Sequence, residues 1–131
     1  MTTAASSSSA TKTILLVEDD TILSAMYSQR FSKEGYKVIL AQNGEDGLNL
    51  ALKNNIDLVL TDIMLPKISG IELIKKLKGN TKKANIPIIA WSNLSDESEK
   101  ESALKLGAED FLIKGKMSLN EVVDTVKKYL A

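Results

Sequence analysis

The chain contains no cysteine and no histidine. Disulfides, thiolate nucleophiles and Cys/His metal sites are therefore excluded. The usual general base at neutral pH is missing too. Any chemistry must come from carboxylates, hydroxyls, lysines, backbone groups or a hard metal ion. No apolar stretch approaches the roughly 20 residues that a bilayer-spanning helix needs. Residues 1–11 are rich in Ser, Thr and Ala, with neither a basic n-region nor an apolar h-region. They are not a secretory signal. They read as a flexible tail that buries nothing, or as the end of a linker, and a cytoplasmic location follows by default. Net charge is also absent, since 17 basic and 17 acidic residues cancel. No basic run reads as a nucleic-acid footprint, so neither a nucleic-acid nor a membrane partner is expected.

What is present is a regular alternation. The 131 residues suit one domain, placed over 12–131. Short aliphatic runs at Ile14–Val17, Val38–Leu40, Leu58–Leu60, Ile86–Trp91 and Phe111–Ile113 show little polar alternation. Such runs suit strands buried on both faces of a parallel sheet. Between them lie helical patterns. Thr21–Glu34 places Ile22, Leu23, Met26, Tyr27 and Phe31 along one stripe, with Asp20 as N-cap and Gly35 as stop. Glu45–Lys53 follows Asn43-Gly44. Ser69 with Glu72, Asp96 with Glu99 and Ser118 with Glu121 have capping-box spacing. The helix at Glu97–Leu106 is mostly charged, with few apolar anchors. The fold class is therefore α/β: one doubly wound (βα)5 domain with a parallel five-stranded sheet and right-handed crossovers.

In such sheets the ligand site lies beyond the C-terminal strand ends. Glu18 and Asp19 follow the first strand, Asp62 ends the third, Ser92 ends the fourth and Lys114 follows the fifth. Three carboxylates contribute −3 and Lys114 returns +1, leaving −2. That cluster repels itself unless a cation enters. Oxygen ligands without nitrogen or sulfur favour Mg2+, Ca2+ or Mn2+. Mg2+ suits the sparse set best, because it commonly combines one or two carboxylates with waters and a phosphate. One carboxylate is then free to act as a nucleophile and form an aspartyl phosphate. Lys114 would neutralise the transferring group, and Ser92 could donate to one of its oxygens. Trp91 adjoins Ser92 and should report on the site.

These segments resemble a known family. Ile14-Leu-Leu-Val-Glu-Asp-Asp20 is similar to the opening of response-regulator receiver domains. Asp62-Ile-Met-Leu-Pro66, with Gly70 beyond, resembles their phosphoacceptor loop. Pro87-Ile-Ile-Ala-Trp-Ser92 and Gly107-Ala-Glu-Asp-Phe-Leu-Ile-Lys114 resemble the fourth and fifth strands. The resemblance spans about Lys12 to Leu130. It implies the flavodoxin-like strand order 2-1-3-4-5. It also implies Asp62 as phosphoacceptor and Mg2+ held by Glu18, Asp19, Asp62 and the backbone carbonyl of Met64. Lys114 would pair with the phosphoryl group. Ser92 and Phe111 would be switch residues, Phe111 turning inward as Ser92 moves. The implied donor is a phosphohistidine on a sensor histidine kinase or histidine phosphotransfer protein. The implied output is a protein partner at the face of the fourth helix, fifth strand and fifth helix (α4-β5-α5), not enzymatic turnover.

Three departures from the pattern stand out. Lys114-Gly115 replaces the family's Lys-Pro, so the bond is predicted to be trans. Asn93 follows Ser92 where the family usually has a small residue such as alanine, and its amide could contact the phosphoryl group or simply serve a turn. Leu94 and Met64 also flank the acceptor with apolar side chains, which predicts slow self-dephosphorylation. The rival reading is a receiver-like interaction module that works without phosphorylation.

Overall fold

The computed structural model describes residues 11–93 and 97–131. The Ser/Thr/Ala-rich start up to residue 10, Leu94 and the cap expected at Asp96 lie outside the described residues.

Five strands form one parallel sheet in the order β2-β1-β3-β4-β5. They are β1 (Thr13–Val17), β2 (Lys37–Ala41), β3 (Leu58–Asp62), β4 (Ile88–Ser92) and β5 (Asp110–Ile113). The helices between and after them are α1 (Thr21–Lys33), α2 (Gly44–Lys53), α3 (Gly70–Lys78), α4 (Glu97–Lys105) and α5 (Leu119–Leu130). The doubly wound architecture and the strand order are as expected.

The period-two pleat divides the aliphatic side chains of each central strand between two cores. Leu15, Val17, Val59, Ile88 and Ala90 pack with Leu73, Ile74 and Leu77 on one face. Ile14, Leu16, Leu58, Leu60, Ile89 and Trp91 pack with Tyr27, Phe31 and the valines of α5 on the other. Both faces are covered, which is why the central strands show no polar alternation. The edge strand β2 departs from that expectation. Leu40 is exposed and Val38 and Ile39 are only half-buried. With a neighbour on one side only, β2 is less completely covered.

Local chemistry starts the helices. The carboxylate of Asp20 accepts from the amides of Ile22 and Leu23 at 3.0 Å, and Asn43 accepts from the amide of Asp46 at 2.8 Å. At α5 the full capping box forms between Ser118 and Glu121, at 3.1 and 2.8 Å. At α3 only half does: the Ser69 hydroxyl accepts from the Glu72 amide at 3.2 Å, while the Glu72 side chain lies 3.9 Å from Lys76 instead.

Two further expectations are corrected. Ile22 and Met26 are 82% and 44% exposed. Each lies one position, about 100° around the helix, from Leu23 and Tyr27, so α1 buries the narrower face of Leu23, Ser24, Tyr27 and Phe31. β4 begins at Ile88, not Ile86. Pro87 has no N–H to give a ladder; its carbonyl accepts from Val59 at 2.9 Å.

Gly70 sets how closely α3 approaches β3. Its amide donates to the carbonyl of Ile63 at 2.8 Å. A Cβ there would overlap the carbonyl oxygen of Asp62 and sit 2.7 Å from the Ile63 Cα. Backbone atoms cannot yield as a flexible side chain can. Gly70→Ala is expected to cost about 1–3 kcal/mol in urea unfolding. An unchanged midpoint would mean that the loop after Asp62 has room to spare.

Candidate functional site

Sheet register assembles the site. Val17 lies beside Thr61, Asp62 beside Trp91, and Ser92 beside Ile113. The residues at or just after these positions, Glu18, Asp62, Ser92 and Lys114, therefore meet at the C-terminal edge. They line a cleft of about 530 Å³ together with Asp19, Asp20, Leu23, Met64 and Asn93. Leu23 was not singled out from the sequence as a site residue. Its position in the first turn after the Asp20 cap is the signal that could have found it.

Carboxylate oxygens of Glu18, Asp19 and Asp62 all lie within 4.8 Å of one another. Glu18 is 1% exposed, whereas Asp19 opens to solvent. The Lys114 ammonium bridges the buried pair, 2.6 Å from Glu18 Oε1 and 2.6 Å from Asp62 Oδ2. The second Glu18 oxygen accepts from the Asp20 amide at 3.0 Å. The second Asp62 oxygen accepts from the Met64 amide at 3.1 Å.

Burial pushes the Glu18 carboxyl above its usual range, and the Asp62 charge adds to that. The hydrogen bonds from Lys114 and the Asp20 amide oppose it without cancelling it. Burial works against the charged form of Lys114 as well, but its bonds to Asp62 and Glu18 outweigh this and hold the amine above its ordinary value. The lysine therefore stays a cation between two carboxylates. Three clustered carboxylates with one ammonium remain a net acidic, all-oxygen donor set, which fits a hard divalent cation.

Lys114 reaches this position although glycine follows it. The Lys114–Gly115 bond is trans, as expected. Gly115 turns the chain at φ +81°, a left-handed conformation that side-chain-bearing residues adopt rarely. The ammonium also sits 5.1 Å from the centroid of the Trp91 ring. Tyr27 meets that ring edge-on at 5.0 Å. Trp91 is buried, and its Nε1–H has no hydrogen-bond partner among the described residues.

Ser92 is buried at the edge of the cleft. Phe111 is buried among the side chains of the α2–α3–α4 face.

A (βα)5 domain with this strand order is a flavodoxin-like fold, and its acidic cleft lies at the C-terminal edge of the sheet. The family model for the response regulator receiver domain matches residues 14–127, and the chain belongs to that family, the receiver domain of two-component systems. The polar-differentiation response regulator DivK of Brucella ovis is 32% identical over 120 residues, covering 92% of this chain and 97% of DivK. The uncharacterized transcriptional regulatory protein YcbL of Bacillus subtilis is 37% identical over 113 residues. That match covers 86% of this chain but 48% of YcbL, so the chain spans about half of that relative. Among solved structures, a CheY-like receiver domain protein from Methanospirillum hungatei superposes with a TM-score of 0.85 at 27% identity, covering 92% of this chain and 94% of its own. A response regulator from Chloroflexus aurantiacus gives 0.84 at 32%, covering 92% and 98%.

Trp91 is the only tryptophan, and its ring touches the field of Lys114. Mg2+ is expected to change its fluorescence. The pH dependence follows from Glu18. A carboxyl raised on folding holds its proton to higher pH, and that proton competes with the metal. The Mg2+ concentration giving half the change should therefore rise as pH falls, starting above the range of an ordinary glutamate. No change at saturating Mg2+ would contradict this placement of the ring and the acids.

Proposed function

We propose that Asp62 accepts a phosphoryl group from a phosphohistidine on a sensor histidine kinase or a histidine phosphotransfer protein. The observation that carries this reading is the buried Asp62 carboxylate held by Lys114 beside two further acids. An Asp62 oxygen attacks phosphorus, a P–O bond forms, and the N–P bond to the donor imidazole breaks. The leaving imidazole takes its proton from solvent or from the partner, since this chain has no histidine. Glu18, Asp19, Asp62 and the Met64 carbonyl would hold Mg2+. When bound, Mg2+ offsets the charge of the phosphoryl oxygens.

The chain's own groups prepare the step. Bonds to both Asp62 oxygens fix the carboxylate before a donor arrives. Lys114, held charged, can exchange a carboxylate for a phosphoryl oxygen. The Ser92 hydroxyl, at the cleft edge, would donate to another. Phosphorylation replaces roughly one negative charge by about two. The modification would bias the α4-β5-α5 face between two existing conformations, with Ser92 and Phe111 as the moving side chains. Among the helices, α4 buries the fewest of its own residues, Ala103 alone. That face would then meet a protein partner, with no catalytic turnover.

Incubation with acetyl phosphate should add one phosphoryl group to the intact mass, only when Mg2+ is present. Lys114→Met should slow this about 100-fold or more, as loss of a charge-stabilising donor does elsewhere. Absence of any gain, with acetyl phosphate and with a phosphohistidine donor, would favour an interaction module that works without phosphorylation.

A further inference from the structure

The formal net charge of zero conceals a separation of charge along the strands. In a parallel βα fold every helix runs back towards the edge where the strands begin. Lys33, Lys53, Lys75, Lys105 and Lys128 each stand in the last turn of a different helix. Lys12 and Lys37 stand at the starts of β1 and β2, and Lys82 and Lys83 in the turn before β4. Residues 73–95 contain no acid at all. The first turns of α2, α3, α4 and α5 all carry acids, and they lie at the opposite edge with the cleft.

The carboxylates at the basic end are already engaged. Glu34 pairs with Arg30 at 3.1 Å and Lys127 at 2.9 Å. Asp57 accepts from the Thr13 amide at 2.7 Å. Glu109 takes the Ile88 amide at 2.7 Å and Lys78 at 3.3 Å. Asp110 accepts from the Tyr129 hydroxyl at 3.1 Å. By contrast, Lys12, Lys37, Lys53, Lys75, Lys82 and Lys105 are exposed with no ion-pair partner among the described residues. The helix dipole accounts for a cation at each helix end. It does not account for three lysines in the last turn of α3 followed by two more in the next turn. Between Lys37 and Lys53 a notch of about 350 Å³ adds Thr13, Asn54 and Asn55, so hydroxyl and amide donors accompany the two ammonium groups.

The two poles act independently. A five-residue strand separates them by about 16 Å at 3.3 Å per residue, roughly two Debye lengths at physiological ionic strength. A surface pressed against the basic end therefore meets lysines and little of the acidic cleft.

We propose that this end docks on an anionic lipid bilayer surface, with the phosphoacceptor cleft facing away. The charge is spread over the ends of all five helices, as a flat partner requires. It consists of lysines, whose point charges suit scattered headgroup phosphates. The one arginine, Arg30, is taken by Glu34 and by Asn120 at 2.6 Å, so no free guanidinium fork is left for reading bases. No aromatic side chain is fully exposed to stack on them. Among the described residues no helix is long and apolar enough to cross a membrane. The contact is therefore peripheral, and it departs from the absence of a membrane partner expected from the net charge of zero.

Co-sedimentation of the whole chain with vesicles of phosphatidylserine and phosphatidylcholine tests this, against phosphatidylcholine alone. Wild type should bind only the anionic vesicles and release at high salt. The quadruple variant Lys37→Gln, Lys53→Gln, Lys75→Gln, Lys82→Gln should bind at least about tenfold more weakly. It should keep its melting temperature and its acetyl phosphate loading. Lys67→Gln with Lys100→Gln, on the other half of the molecule, should bind like wild type. Equal binding by wild type and the quadruple variant would overturn the proposal, as would no binding to anionic vesicles. Tighter lysine-dependent binding to duplex DNA, or salt-reversible self-association in sedimentation, would overturn it in favour of nucleic acid or a second copy.

Discussion

One ammonium group holds the acidic edge of this domain together. Lys114 lies 2.6 Å from both Glu18 and Asp62, and all three side chains are at least nine-tenths buried. Two carboxylates so placed repel each other and lose most of their hydration. Removing one partner from such a group typically costs about 3–5 kcal/mol, because a charge is left buried and uncompensated. Much of the rest of the fold serves to bring the three together. The parallel register aligns the strand ends, Gly70 lets α3 approach the loop after Asp62, and Gly115 turns the chain after the lysine.

The same arrangement supports the proposed phosphoryl transfer. A carboxylate restrained through both oxygens needs little reorganisation before it attacks. A lysine that stays charged can trade a carboxylate for a phosphoryl oxygen. The cluster remains net negative even with Lys114 in place, which leaves a role for a hard cation. Acidic chemistry gathers at one edge and unpaired lysines at the other. The two ends are far enough apart for partners at both without direct electrostatic conflict.

Much of this was legible in the residues. The aliphatic runs marked five strands because their side chains are covered on both faces. The acids, the hydroxyl and the lysine could be grouped because parallel strands deliver their C-terminal ends to one edge. What escaped the reading depended on neighbours. Ile22 and Met26 fit an apolar stripe, but only the packed sheet decides how wide a stripe it covers. Ile86 looked like strand, yet Pro87 withholds the ladder bond. The basic end was hidden by a net charge of zero, because its lysines are scattered along the chain and meet only when the helix ends line up.

Mapping the modified residue tests the central claim most directly. After loading with acetyl phosphate and Mg2+, borohydride reduction converts an aspartyl phosphate to homoserine, which peptide mass spectrometry locates. The expected result is homoserine at position 62 alone. Homoserine at position 19 or 20, with Asp62 unmodified, would contradict the assignment of the nucleophile and the role of Lys114 built on it.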